Sequence, residues 1–348
     1  MMYRGSFYFF FFAFCLLASS AIAQNRVPDH DTSYYDTYRD RITGRAFLSR
    51  KYTALRFDPN GSLPDFDYHP NTSLNLGLGA TYHAFTLNIG IGINKFNPSE
   101  IRGKTRYLDL QGHFYARKWN IDLLGEFYRG YYLTPKGLAA PPGESYYKRN
   151  DLKLDLIGIA FYRSLNDRRF SYQAGLLQNE WQKRSAGSIL VGGEIYYGAI
   201  HADSVLVPGK LDSAYRKLDI EKLHFFEIGP GIGYAYTLVI QKHFFVLASV
   251  TVNLAIRLSS EISHAGGKLE EQIDFTPNHI VHLGLGYNTE NWCLSALWVN
   301  TRLNVAGATS KYNYGVATGN YRLIFAKRIK INRKVRKALK PIPDIIGK

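Results

Sequence analysis

A chain of 348 residues with 46% hydrophobic and 15% aromatic content carries enough apolar surface for a large core, which excludes disorder as its main state. Its formal charge of +15 would point to nucleic acid if it were spread along the chain. Instead, the nine Lys and Arg residues between Lys327 and Lys348 face Asp344 alone, so the tail holds more than half of the excess and no nucleic-acid partner is expected.

Residues 1–23 read as an export signal: Arg4 in a short basic start, an apolar stretch from Phe7 to Leu17, then Ala21-Ile22-Ala23 before Gln24. Cleavage after Ala23 is expected. Cys15 lies in the apolar stretch without the small-residue context of a lipid-modified cysteine, and its loss leaves Cys293 alone, so no intramolecular disulfide is expected. Residues 24–44 follow as a periplasmic segment, 45–328 as a barrel and 329–348 as a basic tail. A helical anchor is not expected, because the most apolar later stretch, His243 to Ile256, is broken by Ser249, Thr251 and Asn253 and falls short of the ~20 residues that span a bilayer.

Alternation takes the place of helices. Leu74, Leu76, Leu78, Ala80 and Tyr82, then Phe85, Leu87, Ile89, Ile91 and Ile93, share one face of a hairpin, while Asn75, Gly77, Gly79, Thr81, Thr86, Asn88, Gly90, Gly92 and Asn94 share the other. A period of two is the signature of a strand, and about ten residues is the length of a tilted membrane-spanning one. The pattern recurs near Thr105 to Ala116, Trp119 to Arg129, Leu152 to Arg163, Phe170 to Glu180, Ser188 to Ile200, His224 to Leu238, Phe244 to Arg257, Ile280 to Thr289, Trp292 to Leu303 and Val316 to Arg328, with a first strand ending near Phe57. Short turns such as Arg117-Lys118 and Glu290-Asn291 alternate with long loops such as Gly130 to Asn150. The predicted fold is therefore all-β, an antiparallel transmembrane barrel in the outer membrane. Thirteen candidates break the even count of a single-chain barrel, so about twelve strands are expected, within ten to fourteen, with the fault placed between Ala199 and Glu221. Trp119 and Tyr131 share a face and are expected at the two membrane interfaces.

If apolar residues face lipid, Asp109, Gln111, His113 and Tyr115 turn inward on one strand, Asn120, Asp122, Glu126 and Tyr128 on the next, and Lys153 and Asp155 on the third. Asp109, Gln111, His113, Asp122, Glu126, Lys153 and Asp155 form the candidate lumen cluster, with Lys153 and Arg side chains elsewhere as the cations that pair with its carboxylates. It reads either as a selectivity or ligand site or as a satisfied network filling a small barrel. A narrow or closed lumen is expected, with at most a weakly cation-preferring leak.

The stretch Asp31-Thr32-Ser33-Tyr34-Tyr35 to Thr43-Gly44-Arg45-Ala46-Phe47-Leu48-Ser49-Arg50-Lys51-Tyr52, with Arg102-Gly103-Lys104-Thr105, Phe127-Tyr128-Arg129-Gly130-Tyr131-Tyr132 and Gly229-Pro230-Gly231-Ile232-Gly233-Tyr234, resembles an uncharacterised family of Bacteroidetes outer-membrane barrels, the domain of unknown function DUF4421. That resemblance implies a barrel over most of the mature chain and no assigned activity. A basic tail follows the closing Asn320-Tyr321-Arg322-Leu323-Ile324-Phe325, where many barrels end on an aromatic residue.

Other chemistries find little support. The Gly-x-Gly runs at Gly77, Gly90, Gly229 and Gly284 lie inside alternating stretches rather than between a strand and a helix, so no dinucleotide is expected. His279 and His282, three apart on a strand, point to opposite faces and cannot chelate together. Ser295 shares the parity of Leu297 and Val299, read as lipid-facing, and no nucleophile elbow is present. Neither enzyme activity nor a cofactor or metal is expected. The expected partners are outer-membrane lipid, the assembly machinery during biogenesis, and anionic envelope polymer or headgroups for the tail. Two roles stay open: narrow transport or binding of a solute through the polar lumen, or a structural barrel whose loops or tail engage envelope partners.

Overall fold

The computed structural model describes residues 29–58, 65–83, 85–93, 100–211, 219–263, 267–307 and 313–332; the export-signal segment and most of the basic tail lie outside them. In chain order the strands are β1 (Tyr35–Thr37), β2 (Arg41–Asp58), β3 (Phe66–Pro70), β4 (Asn75–Tyr82), β5 (Phe85–Gly92), β6 (Arg106–Tyr115), β7 (Trp119–Thr134), β8 (Lys148–Ser164), β9 (Glu180–Gln182), β10 (Ala186–His201), β11 (Ile220–Ile240), β12 (Phe244–Ser263), β13 (Lys268–Asn288), β14 (Trp292–Ala306) and β15 (Asn313–Lys330). One short helix, α1 (Tyr172–Leu176), interrupts them. Thirteen strands share one antiparallel sheet, and ten of these close into a ring, because β15 pairs back onto β2 from Asn313↔Asp58 to Lys330↔Arg41.

The reason for the wall is clearest in β12. From Phe244 to Leu258 every even-numbered residue is exposed and every odd one is buried, so Val246, Val250, Val252, Leu254 and Ile256 form an apolar outer face while Ser249, Thr251, Asn253 and Arg257 point inward. Only lipid makes an exposed apolar face of that height favourable, and pairing of neighbouring strands satisfies their backbone groups without water. At the short-turn end the band finishes in a belt of rings. Tyr287 lies 4.8 Å from Phe244 and 5.3 Å from Trp292, which lies 6.3 Å from Phe325, the expected position for aromatics at a membrane interface.

The barrel changes width along its axis. β3 and β4 both pair with β2, β3 at Leu55–Phe57 and β4 at Thr43–Ser49, and so form one descending line broken at residues 71–74. Above the break β3 joins β7 directly. Below it β5 extends β4 and β6 extends β7, so the wall there is built from twelve strands. Among the described residues no ladder joins β5 to β6. The three strands outside the closed ring are thus β4, β5 and β6, and both the ten and the twelve fall within the predicted range.

The strand expected from Phe170 to Glu180 is not one. Between β8 and β10 the chain turns inward, forms α1 and returns through β9, which pairs with β1 from the N-terminal segment. Phe170, Tyr172, Ala174 and Leu176 alternate in sequence, but all residues from Tyr172 to Gln178 are buried in the lumen. The parity fault lies there; among its described residues, Ala199 to Glu221 holds the end of β10 and the start of β11. Gly175 is where the plug meets the wall most closely, since an added Cβ would stand 2.7 Å from a Leu247 methyl.

Candidate functional site in the barrel lumen

Three layers fill the lumen. At the loop end Phe57 stacks on Phe66 at 4.9 Å and meets Tyr314 edge-on at 5.1 Å. Leu152, Leu154 and Leu156 pack beneath them, fully buried, with Leu206 and Val207 folded in from the loop. The Tyr68 hydroxyl fixes that loop by donating to the Leu206 carbonyl at 3.0 Å. At the turn end α1 inserts Leu176 and Leu177 among Phe245, Leu247, Cys293 and Ile324. Between this cap and this plug the lining is polar.

Glu126 stands at the centre of the polar layer with no exposed surface. It accepts hydrogen bonds from Thr318 Oγ1 at 2.6 Å, from Thr53 Oγ1 at 2.7 Å and from Gln111 Nε2 at 3.1 Å. Gln111 in turn accepts from Asn320 at 2.7 Å. Asp109 is met by the Lys51 ammonium at 2.6 Å and by the Tyr128 hydroxyl at 2.7 Å. Asp122 faces His113 Nδ1 at 2.6 Å and accepts from Tyr115 at 2.6 Å, while His282 stands 4.0 Å away and bonds Tyr172 of the plug at 2.9 Å. A second cluster is built around Arg257, which donates to Glu227 at 2.7 Å and to Asp274 at 3.0 Å, while Asn278 bridges Glu194 at 2.7 Å and Glu227 at 2.8 Å. Buried charges endure only when paired and hydrogen-bonded in this way.

Of the seven predicted lumen residues, Asp109, Gln111, His113, Asp122 and Glu126 are brought together inside. Lys153 and Asp155 are not: in β8 it is Leu152, Leu154 and Leu156 that point inward, and Asp155 lies outside, 3.6 Å from His201. The rule that apolar residues face outward holds only at the depth of lipid. This part of β8 pairs with the loop end of β7, where the interior is an apolar core and the exterior is polar. The cation that meets Asp109 is therefore Lys51, from a strand far away in sequence. Tyr131 also turns inward, 2% exposed, because a bulge at Gly130 (φ +91°) shifts the register between Arg129 and Tyr131. An added Cβ at Gly130 would meet the Lys104 carbonyl at 2.3 Å, so the bulge needs glycine. Ser295 and Leu297 likewise face the lumen, both buried, and Leu297 belongs to the cluster that holds Leu176 and Leu177 of the plug.

Residues that reading of the sequence passed over are Lys51, Thr53, Glu194, Glu227, Arg257, Asn278, Thr318 and Asn320. Arg257 carried a signal, since it is a lone charge in the apolar alternation of β12. For Thr53 and Thr318 the decisive information is the β15 to β2 closure, which no local pattern contains.

Outside the barrel strands, Glu180 of β9 is pushed up to about 7 by burial, against the pull of the Ser171 hydroxyl and of Arg39 and Arg328. The plug therefore holds a carboxyl that titrates close to neutral pH.

Among the described residues no group of three or more His, Cys, Asp or Glu is arranged to hold a metal ion. No curated relative matches the chain. Among solved structures it is similar to the outer membrane protease OmpT from Escherichia coli (8% identity, 85% of this chain and 98% of that one, TM-score 0.38). It is also similar to the β domain of the Bordetella autotransporter BrkA (11% identity, 82% and 99%, TM-score 0.35) and to the P. putida toluene transporter TodX (8% identity, 83% and 91%, TM-score 0.27). At these identities and TM-scores the likeness transfers nothing to this chain. The model of the domain of unknown function DUF4421 matches residues 29–326, so this chain is a DUF4421 protein built as a membrane-spanning β-barrel.

Proposed function

We propose that the protein is an occluded binding barrel of a bacterial outer membrane, which takes up a small solute in its polar layer and does not act as an open pore. The observation that carries this reading is the sequence of layers: an apolar cap, a hydrogen-bonded ionic layer and an inserted plug along one axis. About ten to twelve strands is intermediate between barrels filled by side chains and barrels that hold a channel, so the lining decides. Here it closes both ends. Solute binding accompanies local rearrangement of the layer around Glu126 and Asp109, and no catalytic step belongs to this reading. Export with cleavage after Ala23, a Bacteroidetes source and delivery by the outer-membrane assembly machinery belong to the same proposal.

Liposome swelling tests it. Reconstituted protein should admit neither sugars nor amino acids at a porin-like rate, whereas a variant with residues 167–183 replaced by a short turn should admit them. Rapid swelling by the intact protein would overturn the reading.

A second reading rests on where the chain leaves the barrel. β15 ends beside the start of β2, and the Ile331 amide donates to the Asp40 carbonyl at 3.2 Å, so the basic tail departs at the short-turn end. Residues 329–348 would then engage anionic headgroups or polymer in the periplasm, at about 1 kcal/mol per Lys or Arg near the surface. Loss of salt-sensitive liposome retention on deleting 333–348 supports this reading, and unchanged retention refutes it.

A further inference from the structure

The gap between β5 and β6 opens the lumen sideways. A cavity of about 380 Å³ lies at this gap and is lined both by inward residues, among them Asn88, Asp109 and Arg322, and by Ile89 and Leu110. The latter two belong to the lipid face, 66% and 57% exposed. One cavity thus touches both faces of the wall at the place where no ladder crosses it. In hydrocarbon an unpaired strand edge must find polar partners.

The polar end of this cavity carries a cation outside any ion pair, the Arg322 guanidinium, which lies over the Phe47 ring at 5.1 Å. Asp109, the one carboxylate in the lining, is held by Lys51 at 2.6 Å and Tyr128 at 2.7 Å. Arg322 has no ion-pair partner among the described residues, and its Nε is buried without a hydrogen bond. Along β15, Arg322 precedes Phe325 of the aromatic belt by three residues, which sets it roughly 8 Å further into the apolar band at ~3.3 Å per residue and a tilt near 40°. The cation is therefore at membrane depth, beside an opening with apolar lips.

We infer that this seam is a lateral binding site for a membrane-borne amphiphile with an anionic headgroup, carboxylate or phosphate. The headgroup sits against Arg322, and the acyl chain leaves between Ile89 and Leu110 into the bilayer. Guanidinium is suited to both oxyanions through its paired N–H donors. The inference builds on the occluded binding barrel by naming the ligand class and its route, and it needs no opening of cap or plug.

The test uses the full mature chain refolded in a nonionic detergent, with binding read by native mass spectrometry and folding checked by heat-dependent gel mobility. Oleate and dodecyl phosphate should bind one per barrel, and dodecyltrimethylammonium and inorganic phosphate should not. Arg322→Gln should weaken oleate by at least about tenfold, the loss of a charge-assisted contact, while Arg322→Lys keeps most of the affinity. Ile89→Trp, a change on the lipid face, should block the acyl path and weaken oleate as well. Equal binding of the cationic amphiphile, or an Arg322→Gln variant that folds and binds as before, would overturn the proposal. So would inorganic phosphate binding as tightly as dodecyl phosphate, which would mark a free-anion site, or a copurifying polypeptide on the seam. Rapid solute swelling would refute the occluded lumen and leave these results readable, whereas a closed lumen without amphiphile binding refutes the seam alone.

Discussion

Raising the pH should loosen the plug, and Glu180 is the reason. Burial lifts its carboxyl from 4.5 to about 7, so the folded plug holds a proton that the released segment gives up. Stability then falls wherever the folded form binds more protons. The plug is at full strength below about pH 4.5 and weakens as pH rises to about 7. A shift of this size corresponds to about 3 kcal/mol at 1.36 kcal/mol per pKa unit. Glu180 retains some solvent contact, so about 1–3 kcal/mol is the expected range, a change of roughly 5- to 150-fold in the open population. Cys293 reports on it. It is fully buried beside Leu176 and Leu177 of the plug, and it is the chain's one cysteine outside the export-signal segment. Thiol labelling of refolded residues 24–348 should be compared with Glu180→Gln at each pH, so that the thiol's own titration cancels. Gln keeps an acceptor for the Ser171 hydroxyl but has no charge to bury. The rate of the natural chain relative to the variant should climb from pH 5 to pH 8. A flat ratio, or one that climbs as pH falls, would refute the reasoning.

Thr318→Val removes a donor from the buried Glu126 and should cost about 1.5–3 kcal/mol in urea unfolding, the range for a hydrogen bond to a charged group; a loss under about 0.5 kcal/mol would show that water replaces it. Arg257→Met strands Glu227 and Asp274 and should cost about 3–5 kcal/mol, most of it recovered when Glu227→Gln is added; without recovery the pairing carries no weight. Phe57→Ala empties the cap and should cost about 3–5 kcal/mol, seen as a lower temperature for the loss of heat-dependent gel mobility. Lys153→Ala and Asp155→Ala, on the outer face, should leave both stability and permeability close to those of the natural chain; a new leak in either would place them inside.

How much could be read from sequence follows the depth in the membrane. Where strands cross lipid, as with Leu76, Leu78, Leu108 and Leu110, alternation assigns the faces correctly, because the solvent outside is hydrocarbon and the lumen is polar. Above the band that contrast inverts, and Leu152, Leu154 and Leu156 point inward as they would in a soluble core. Near the plug it inverts again, which hides Ser295 and Leu297. The plug itself mimics a strand because Phe170, Tyr172, Ala174 and Leu176 keep period two while the backbone turns helical. Within the site, the five residues on the neighbouring strands β6 and β7 were legible. Their partners Lys51, Thr53, Thr318 and Asn320 were not, because ring closure brings them from the two ends of the chain. The seam was equally hidden: two strands consecutive in sequence are expected to pair, and only the topology shows that β5 and β6 do not.

Planar-bilayer recording of the refolded protein asks most directly whether the lumen is shut. Cap, ionic layer and plug together predict no steady conductance from the natural chain, brief openings that become more frequent as pH rises through the Glu180 range, and a steady current once residues 167–183 are replaced by a short turn. Large, stable, poorly selective conductance from the natural chain at pH 5 would contradict the occluded barrel.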